Sequence, residues 1–378
     1  MRFTRARSPT ATGITPFQRS PQVDHGYDVS DYCDIDPLFG DLAAFDEMLR
    51  TAHGHRLRVI VNLVPNHCSS AHPLSQAALA AGPGSRERAR FHFAADQGPD
   101  GAVPPNNWAS MFGGPEWTRI REPDGSPGQW YLHLCAPEQP DWNWRDPRTA
   151  ALFDEVVRFW FDRRVDGLRI DVAHGLFKAE GLSNLDTPAT VQRMRLRDNP
   201  LACDHQEVHE VYRRWRALAD AYSPRRVLIG EVNLAPARVA RYTRLDELHQ
   251  AFAFAFLGAP WDARAWQSII SGLLKFRVRG GAPVTWVVEN HGVVIQDFEP
   301  LGKFDSFLTL GVQGDESVVN VLHIGQFHHA MNEIFIGRVE RRLIWNILLQ
   351  AQHGATGQPA QLGYELGRLV GSGELGDD

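Results

Sequence analysis

Apolar positions recur along the chain in blocks that predict helices followed by buried strands. The first predicted helix follows Asp41, a residue type that caps helix N-termini, and ends near Gly54. Its apolar positions share one face: Leu42, Phe45, Leu49 and Ala52. Residues 57–64 come next and are almost all apolar, which is typical of a parallel strand buried on both faces.

The same pattern returns three times, which predicts a parallel α/β sheet. A helix capped by Asp146, with Pro147 in its first position, precedes the strand at 167–173. Two further helices, at 205–222 and 261–276, precede strands at 226–232 and 284–291. The predicted inward positions of these three helices are Leu152, Val156 and Trp160, then Val208, Val211, Trp215 and Leu218, then Trp266, Ile269, Ile270 and Leu273.

Changes in composition predict four regions. Residues 1–12 are expected to be disordered, and residues 13–67 and 145–292 to form a partial (β/α) barrel. Residues 68–144, rich in Gly, Pro and Trp, are predicted to be an inserted subdomain, because strand-to-helix connections normally take only a few residues. Residues 293–378 break the pattern and form a divergent C-terminal region of unknown structure.

Composition narrows the class of protein. The formal net charge is −6, with no basic stripe that would indicate nucleic-acid binding, so a neutral or weakly charged substrate is expected. The four cysteines are scattered without a CxxC pair, which favours reduced thiols over a disulfide framework or a zinc site. No secretory signal or membrane span is predicted, so the expectation is a cytoplasmic protein of open oligomeric state.

Polar groups stand at the ends of three predicted strands. They are Asn66 with His67, Arg169 with Asp171, and Glu231. Ligands of parallel α/β folds bind at the carboxyl ends of strands. Any one of these groups alone is better explained as a structural ion pair or cap, but three equivalent positions favour a site.

Two carboxylates that face one cavity can hydrolyse a glycosidic bond. Asp171, beside Arg169, is expected to stay ionised, as a nucleophile must. Glu231 is expected among apolar neighbours, which would raise its pKa, as a proton donor requires. Two tryptophans, Trp142 and Trp144, could either stack on sugar rings or pack in the core.

Six short motifs occur in order. They are "DHGYDVSDY" (24–32), "VIVNLVPNH" (59–67), "QPDWNW" (139–144), "DGLRIDVAH" (166–174), "GEVNL" (230–234) and "ENH" (289–291). Together they resemble the α-amylase superfamily of glycoside hydrolases. The most similar branch is that of bacterial α-glucosidases and oligo-1,6-glucosidases, over roughly residues 13–291.

The resemblance implies a (β/α)8 TIM barrel with a subdomain inserted after the third strand. It also implies that Asp171 is the nucleophile and Glu231 the acid/base. The residues that it places around the non-reducing-end sugar are Asp24, Tyr27, His67, Arg169 and His291. No nucleotide or redox cofactor is implied, and calcium stays open because the loop that often carries it belongs to the family's N-terminal part.

The sequence departs from the family pattern in ways that bear on activity. The family's opening strand, first helix and most of its second strand are absent before Gly13, so the barrel is expected to be incomplete. Gly292 and Ile295 stand where the family has Asp and Arg, and Asn62 replaces another Asp. The expectation is a retaining α-glucosidase for short α-1,4- and α-1,6-linked gluco-oligosaccharides, with weak or lost activity. A non-catalytic truncated remnant and a transglycosylase, such as a trehalose synthase, are the alternatives.

Overall fold

The computed structural model describes residues 11–95, 98, 102–186, 199–256, 263–280, 285–286 and 321–323. The helices are α1 (Leu42–Gly54), α2 (Pro73–Ala80), α3 (Pro147–Asp162), α4 (Val208–Asp220), α5 (Pro236–Tyr242) and α6 (Ala263–Gly280). The strands are β1 (Ala11–Ile14), β2 (Gln18–Arg19), β3 (Asp31–Ile35), β4 (Arg58–Leu63), β5 (Phe93–Ala94), β6 (Trp117–Arg121), β7 (Pro127–Leu132), β8 (Gly167–Ile170), β9 (Val227–Gly230), β10 (Gln250–Ala253), β11 (Thr285–Trp286) and β12 (Val321–His323).

A parallel sheet of seven strands forms the centre of the fold. Its order is β11-β10-β9-β8-β4-β1-β12, and helices connect several successive strands. Within the described ranges the pairing runs as an open series from β11 to β12. The described residues therefore have the predicted α/β barrel architecture, with seven strands in an open series.

Helix caps and buried faces explain why the first elements form where the sequence predicts them. The side chain of Asp41 accepts a hydrogen bond from the Ala44 amide at the start of α1, and Asp146 does the same for Arg148 at the start of α3. Pro147 occupies the first turn of α3, as predicted. The faces that carry the apolar residues of both helices pack into one large core.

The structure corrects several expectations at the ends of the chain. Ala11 and Thr12, predicted to be disordered, belong to β1, which is hydrogen-bonded to β4 on one side and β12 on the other. Sequence reasoning did not predict α5 and β10, because these elements are too short to show a clear apolar period. Ile270 is 38% exposed rather than inward, whereas Leu273 of the same helix is buried. The Trp266 side chain and most of the strand predicted at 284–291 lie outside the described residues.

The segment between β4 and α3 contains a second sheet. Strands β5, β7 and β6 are antiparallel, in that order, and α2 precedes them. The division into barrel and inserted subdomain stays a prediction, and the separate sheet supports it. Aromatic side chains link the two parts, since the Phe153 ring of α3 stacks on Trp144 at 5.2 Å and meets Trp142 edge-on at 6.1 Å. Both tryptophans are buried, so they pack in the core.

Replacing Phe153 with alanine should destabilise the fold strongly. The ring is fully buried, and its removal leaves a cavity between α3 and the inserted segment, which costs about 3–5 kcal/mol of unfolding free energy. Urea denaturation measures this loss. Phe112→Ala is the matched control because Phe112 is 56% exposed. Equal destabilisation by the two substitutions would contradict the aromatic link.

Candidate active site

The backbone places Asp171 and Glu231 side by side. In the β8–β9 pair, Ile170 is in register with Gly230, and each carboxylate residue follows its strand directly. The ladder continues one step further, because the Glu231 amide donates to the Ile170 carbonyl at 2.9 Å and the Asp171 amide donates to Leu63 at 2.9 Å. Both carboxylates consequently lie at the carboxyl edge of the sheet.

The guanidinium of Arg169 joins the two carboxylates. One terminal nitrogen donates to Asp171 Oδ1, and the other lies 2.8 Å from Glu231 Oε2. Burial alone would lower the pKa of Arg169, but the charges of Glu231, Tyr27 and Asp171 outweigh it and raise that pKa. The apolar surroundings predicted for Glu231 are wrong, because its carboxylate contacts a buried cation.

Val172 turns the chain sharply after Asp171. Its φ of +43° lies in the left-handed region, which a β-branched residue rarely adopts. In this conformation its amide donates to Glu231 Oε2 at 3.3 Å. Strained backbone of this kind is concentrated at functional sites, and here it adds a second contact between the two strand ends.

Two of the predicted sugar-binding residues, Tyr27 and Arg169, share Asn62. The Asn62 side chain donates to the Tyr27 hydroxyl at 3.2 Å and accepts from Arg169 at 3.1 Å. The Arg169 guanidinium carbon also lies 5.8 Å from the centre of the Tyr27 ring. Sequence reasoning recorded Asn62 only as a departure from the family motif, although its place on a central strand could have identified it.

Gln139 connects two further predicted sugar-binding residues, Asp24 and His67. Its Nε2 donates to Asp24 Oδ2 at 2.8 Å and lies 3.1 Å from His67 Nε2. Burial raises the pKa of Asp24, although Gln139 and His67 oppose the shift, and burial lowers the pKa of His67. His291, the remaining predicted residue, lies outside the described residues.

A fully buried ion pair lies behind this layer. Lys178 Nζ is 2.8 Å from Asp141 Oδ2, donates to Asn66 Oδ1 at 2.9 Å, and also donates to the Gly175 carbonyl. Sequence reasoning missed all of these partners except Asn66. Asp141 stands inside the quoted "QPDWNW" motif, and Lys178 is one of only three lysines in the chain, so both signals were available.

His174 is buried close to Glu231. Only 3% of its surface is exposed. Burial lowers its pKa to about 4, with the Glu231 charge acting in the opposite direction. Burial also lowers the pKa values of His72 and His249 to about 4.

Comparison with known proteins agrees with this geometry. The family model described as alpha amylase, catalytic domain, matches residues 8–278. The chain belongs to the α-amylase family. The resemblance inferred from the six motifs is thereby confirmed.

Curated relatives of this α-amylase-family chain include proteins named as a hydrolase and as an alpha-glucosidase. Trehalose-6-phosphate hydrolase of Escherichia coli is 38% identical over 65% of this chain and 42% of its own length. A probable alpha-glucosidase of Rhizobium meliloti is 35% identical over 75% of this chain and 52% of its own. The chain therefore spans about half the length of the curated relatives it matches.

Solved structures give the same picture. The alpha-glucosyl transfer enzyme XgtA superposes with a TM-score of 0.66 at 35% identity, covering 75% of this chain and 54% of XgtA. Trehalose-6-phosphate hydrolase of Bacillus licheniformis gives a TM-score of 0.68 at 28% identity, covering 79% and 54%. Both similarities support the barrel architecture.

The described part of the chain contains neither a metal-binding cluster nor a membrane-spanning helix. No three His, Cys, Asp or Glu side chains there are grouped so that they could hold a metal ion. None of the helices in that part has the length and apolar character needed to cross a membrane.

Lys178→Met should destabilise this α-amylase-family chain by about 3–5 kcal/mol, because it leaves the Asp141 carboxylate buried without its cation. Urea denaturation is the measurement. Arg50→Met is the matched control, since Arg50 pairs with Glu47 on the surface and its loss should leave the unfolding free energy nearly unchanged. The interpretation fails if both variants unfold at the same urea concentration.

His174→Asn should reduce the acid sensitivity of folding. Between pH 6.5 and about 4 the unfolded chain binds a proton at His174 that the folded chain does not. This linkage makes stability fall with falling pH by up to about 1.4 kcal/mol per pH unit. The measurement is the unfolding free energy at several pH values across this window, with His55→Asn at an exposed position as the comparison. An unchanged slope in His174→Asn would refute the prediction.

Proposed function

We propose that the chain is a retaining glycoside hydrolase of α-glucosidase type that acts on short α-1,4- and α-1,6-linked gluco-oligosaccharides. The observation that carries the proposal is the contact of both Asp171 and Glu231 with one guanidinium at the carboxyl edge of the barrel sheet. Retaining glycosidases need two carboxyl groups only about 5–5.5 Å apart, and a shared cation is compatible with that spacing.

The chemistry follows from the two carboxylates. Asp171 attacks the anomeric carbon while Glu231 gives its proton to the leaving oxygen, and the glycosidic bond breaks. The product of this step is a sugar covalently attached to Asp171. Glu231, now ionised, then takes a proton from water, and the resulting hydroxide displaces Asp171 from the sugar. Both displacements invert the anomeric centre, so the product keeps the α configuration.

Recognition of the sugar is proposed for the polar layer around the carboxylates. Gln139 links Asp24 to His67, and Asn62 links Tyr27 to Arg169. The positions within each pair are therefore fixed before substrate arrives. His291 is included in this set by its motif alone.

An oligosaccharide is the proposed partner. A cytoplasmic location is also part of the proposal, and the four free thiols support it.

Transfer of glucose to another sugar is the second candidate, favoured by the similarity to the alpha-glucosyl transfer enzyme XgtA at 35% identity. Transfer uses the same two carboxylates, with a sugar hydroxyl in place of water. The products formed from maltose, isomaltose, sucrose and trehalose-6-phosphate distinguish the two functions. Free glucose as the main product supports hydrolysis, and longer or rearranged saccharides support transfer.

Asp171→Asn and Glu231→Gln should separate the two catalytic roles. Asp171→Asn should remove turnover of every substrate. Glu231→Gln should lower turnover of maltose by about 10²–10⁴-fold, the usual contribution of a general acid. The same variant should still release fluoride from α-glucosyl fluoride, whose leaving group needs no proton, and should accumulate a glycosyl-enzyme detectable by mass spectrometry.

Glu180→Gln is the control, because Glu180 is a carboxylate whose side chain is 85% exposed. NMR of the first product shows its anomeric configuration. A β-anomer would reject the retaining mechanism. A folded wild-type chain with no turnover of any of these substrates would reject the enzyme and leave the non-catalytic remnant.

A further inference from the structure

A buried carboxylate organises the loop that carries Asp24 and Tyr27. This loop, residues 20–28, connects β2 and β3, and we refer to it as the Asp28 loop. The side chain of Asp28 is fully buried and accepts three hydrogen bonds. Their donors are the Ser20 hydroxyl at 2.8 Å, the Val23 amide at 3.1 Å and the Asp24 amide at 3.0 Å.

The rest of the loop is equally constrained. The Tyr27 amide donates to the Asp24 carbonyl at 2.8 Å, so the two candidate sugar-binding residues share one turn. Gly26, between them, has a φ of +95°, and a Cβ there would lie 2.9 Å from the Pro16 carbonyl oxygen. These contacts couple Tyr27 to Asp24, so a shift of the Asp24 backbone would displace both residues together.

Asp28 itself is too deeply buried to touch a substrate, yet its carboxylate lies next to the backbone of a residue that can. Amide and hydroxyl donors to an ionised carboxylate make strong, directional hydrogen bonds. They fix the backbone at Asp24 and hence where its side chain meets Gln139.

We propose that Asp28 is a positioning residue that sets Asp24 and Tyr27 for binding the non-reducing-end sugar. The inference rests on the proposed function, since it assigns Asp28 to the same sugar site. Asp28 acts through the loop backbone and takes no part in bond making or breaking.

Asp28→Asn tests this assignment. Asparagine keeps the shape but turns one acceptor oxygen into an NH2 donor, which faces a donor of the loop. The dissociation constant for 1-deoxynojirimycin, a glucose-like ligand that fills only the sugar site, should rise about tenfold, the equivalent of one charge-assisted hydrogen bond. Ser20→Ala, which removes one donor, should raise it less. Asp34→Asn is the control, since Asp34 pairs with Arg19 at the surface of the same hairpin.

A double-mutant cycle separates positioning from simple stability. Because Asp28 acts through Asp24, Asp28→Asn should weaken inhibitor binding much less in an Asp24→Asn background than in the wild type. Calorimetry measures the four dissociation constants, and thermal melts identify which variants are folded. Independent, additive effects would overturn the inference, as would a dissociation constant for Asp28→Asn within about twofold of wild type.

The same measurements distinguish failure of this inference from failure of the proposed function. If the wild type binds the inhibitor and hydrolyses maltose while Asp28→Asn matches it, only the positioning role is rejected. If the folded wild type neither binds the inhibitor nor hydrolyses maltose, the proposed function is rejected and the role of Asp28 with it.

Discussion

The candidate site depends on one buried guanidinium, that of Arg169. It is 5% exposed, and burying a charge is unfavourable unless it is paired and hydrogen-bonded. Asp171 and Glu231 supply the opposite charges from the ends of two neighbouring strands. A shift in the register of these strands would therefore expose a charge or leave it without its partner. The contacts of Arg169 therefore fix both the pairing of the two strands and the relative position of the two candidate catalytic carboxylates.

The segment between β4 and α3 contributes side chains to the candidate site. Its Gln139 links Asp24 to His67, and its Asp141 neutralises Lys178 behind the strand ends. The Tyr32 hydroxyl completes the connection, since it donates to the His67 carbonyl at 2.7 Å and accepts from Trp142 at 3.1 Å. A change in how this segment packs would move the candidate sugar-binding residues as well as core aromatics.

Sequence reasoning predicted the parts of the fold whose signal is local. Apolar periods identified α1, α3 and α4, with caps for α1 and α3, and the rule about strand ends brought Asp171 and Glu231 together. It missed β12, three residues long, because a strand that short is defined by its neighbour β1 rather than by its own pattern. It also misjudged the surroundings of Glu231, because the contact with Arg169 joins residues far apart in the chain and exists only once the sheet has formed.

The balance of charge suits the proposed reaction. Arg169 is the cation in contact with Asp171 and Glu231, and Lys178 behind them is already matched by Asp141. Asp24 adds a third carboxyl group, although burial raises its pKa and so disfavours its ionised form. Glycoside cleavage passes through a transition state with positive charge on the sugar ring, which a surplus of carboxylates stabilises. Proton transfer from Glu231 to the leaving oxygen adds negative charge to the site while the positive charge develops on the sugar, before the bond to Asp171 is complete.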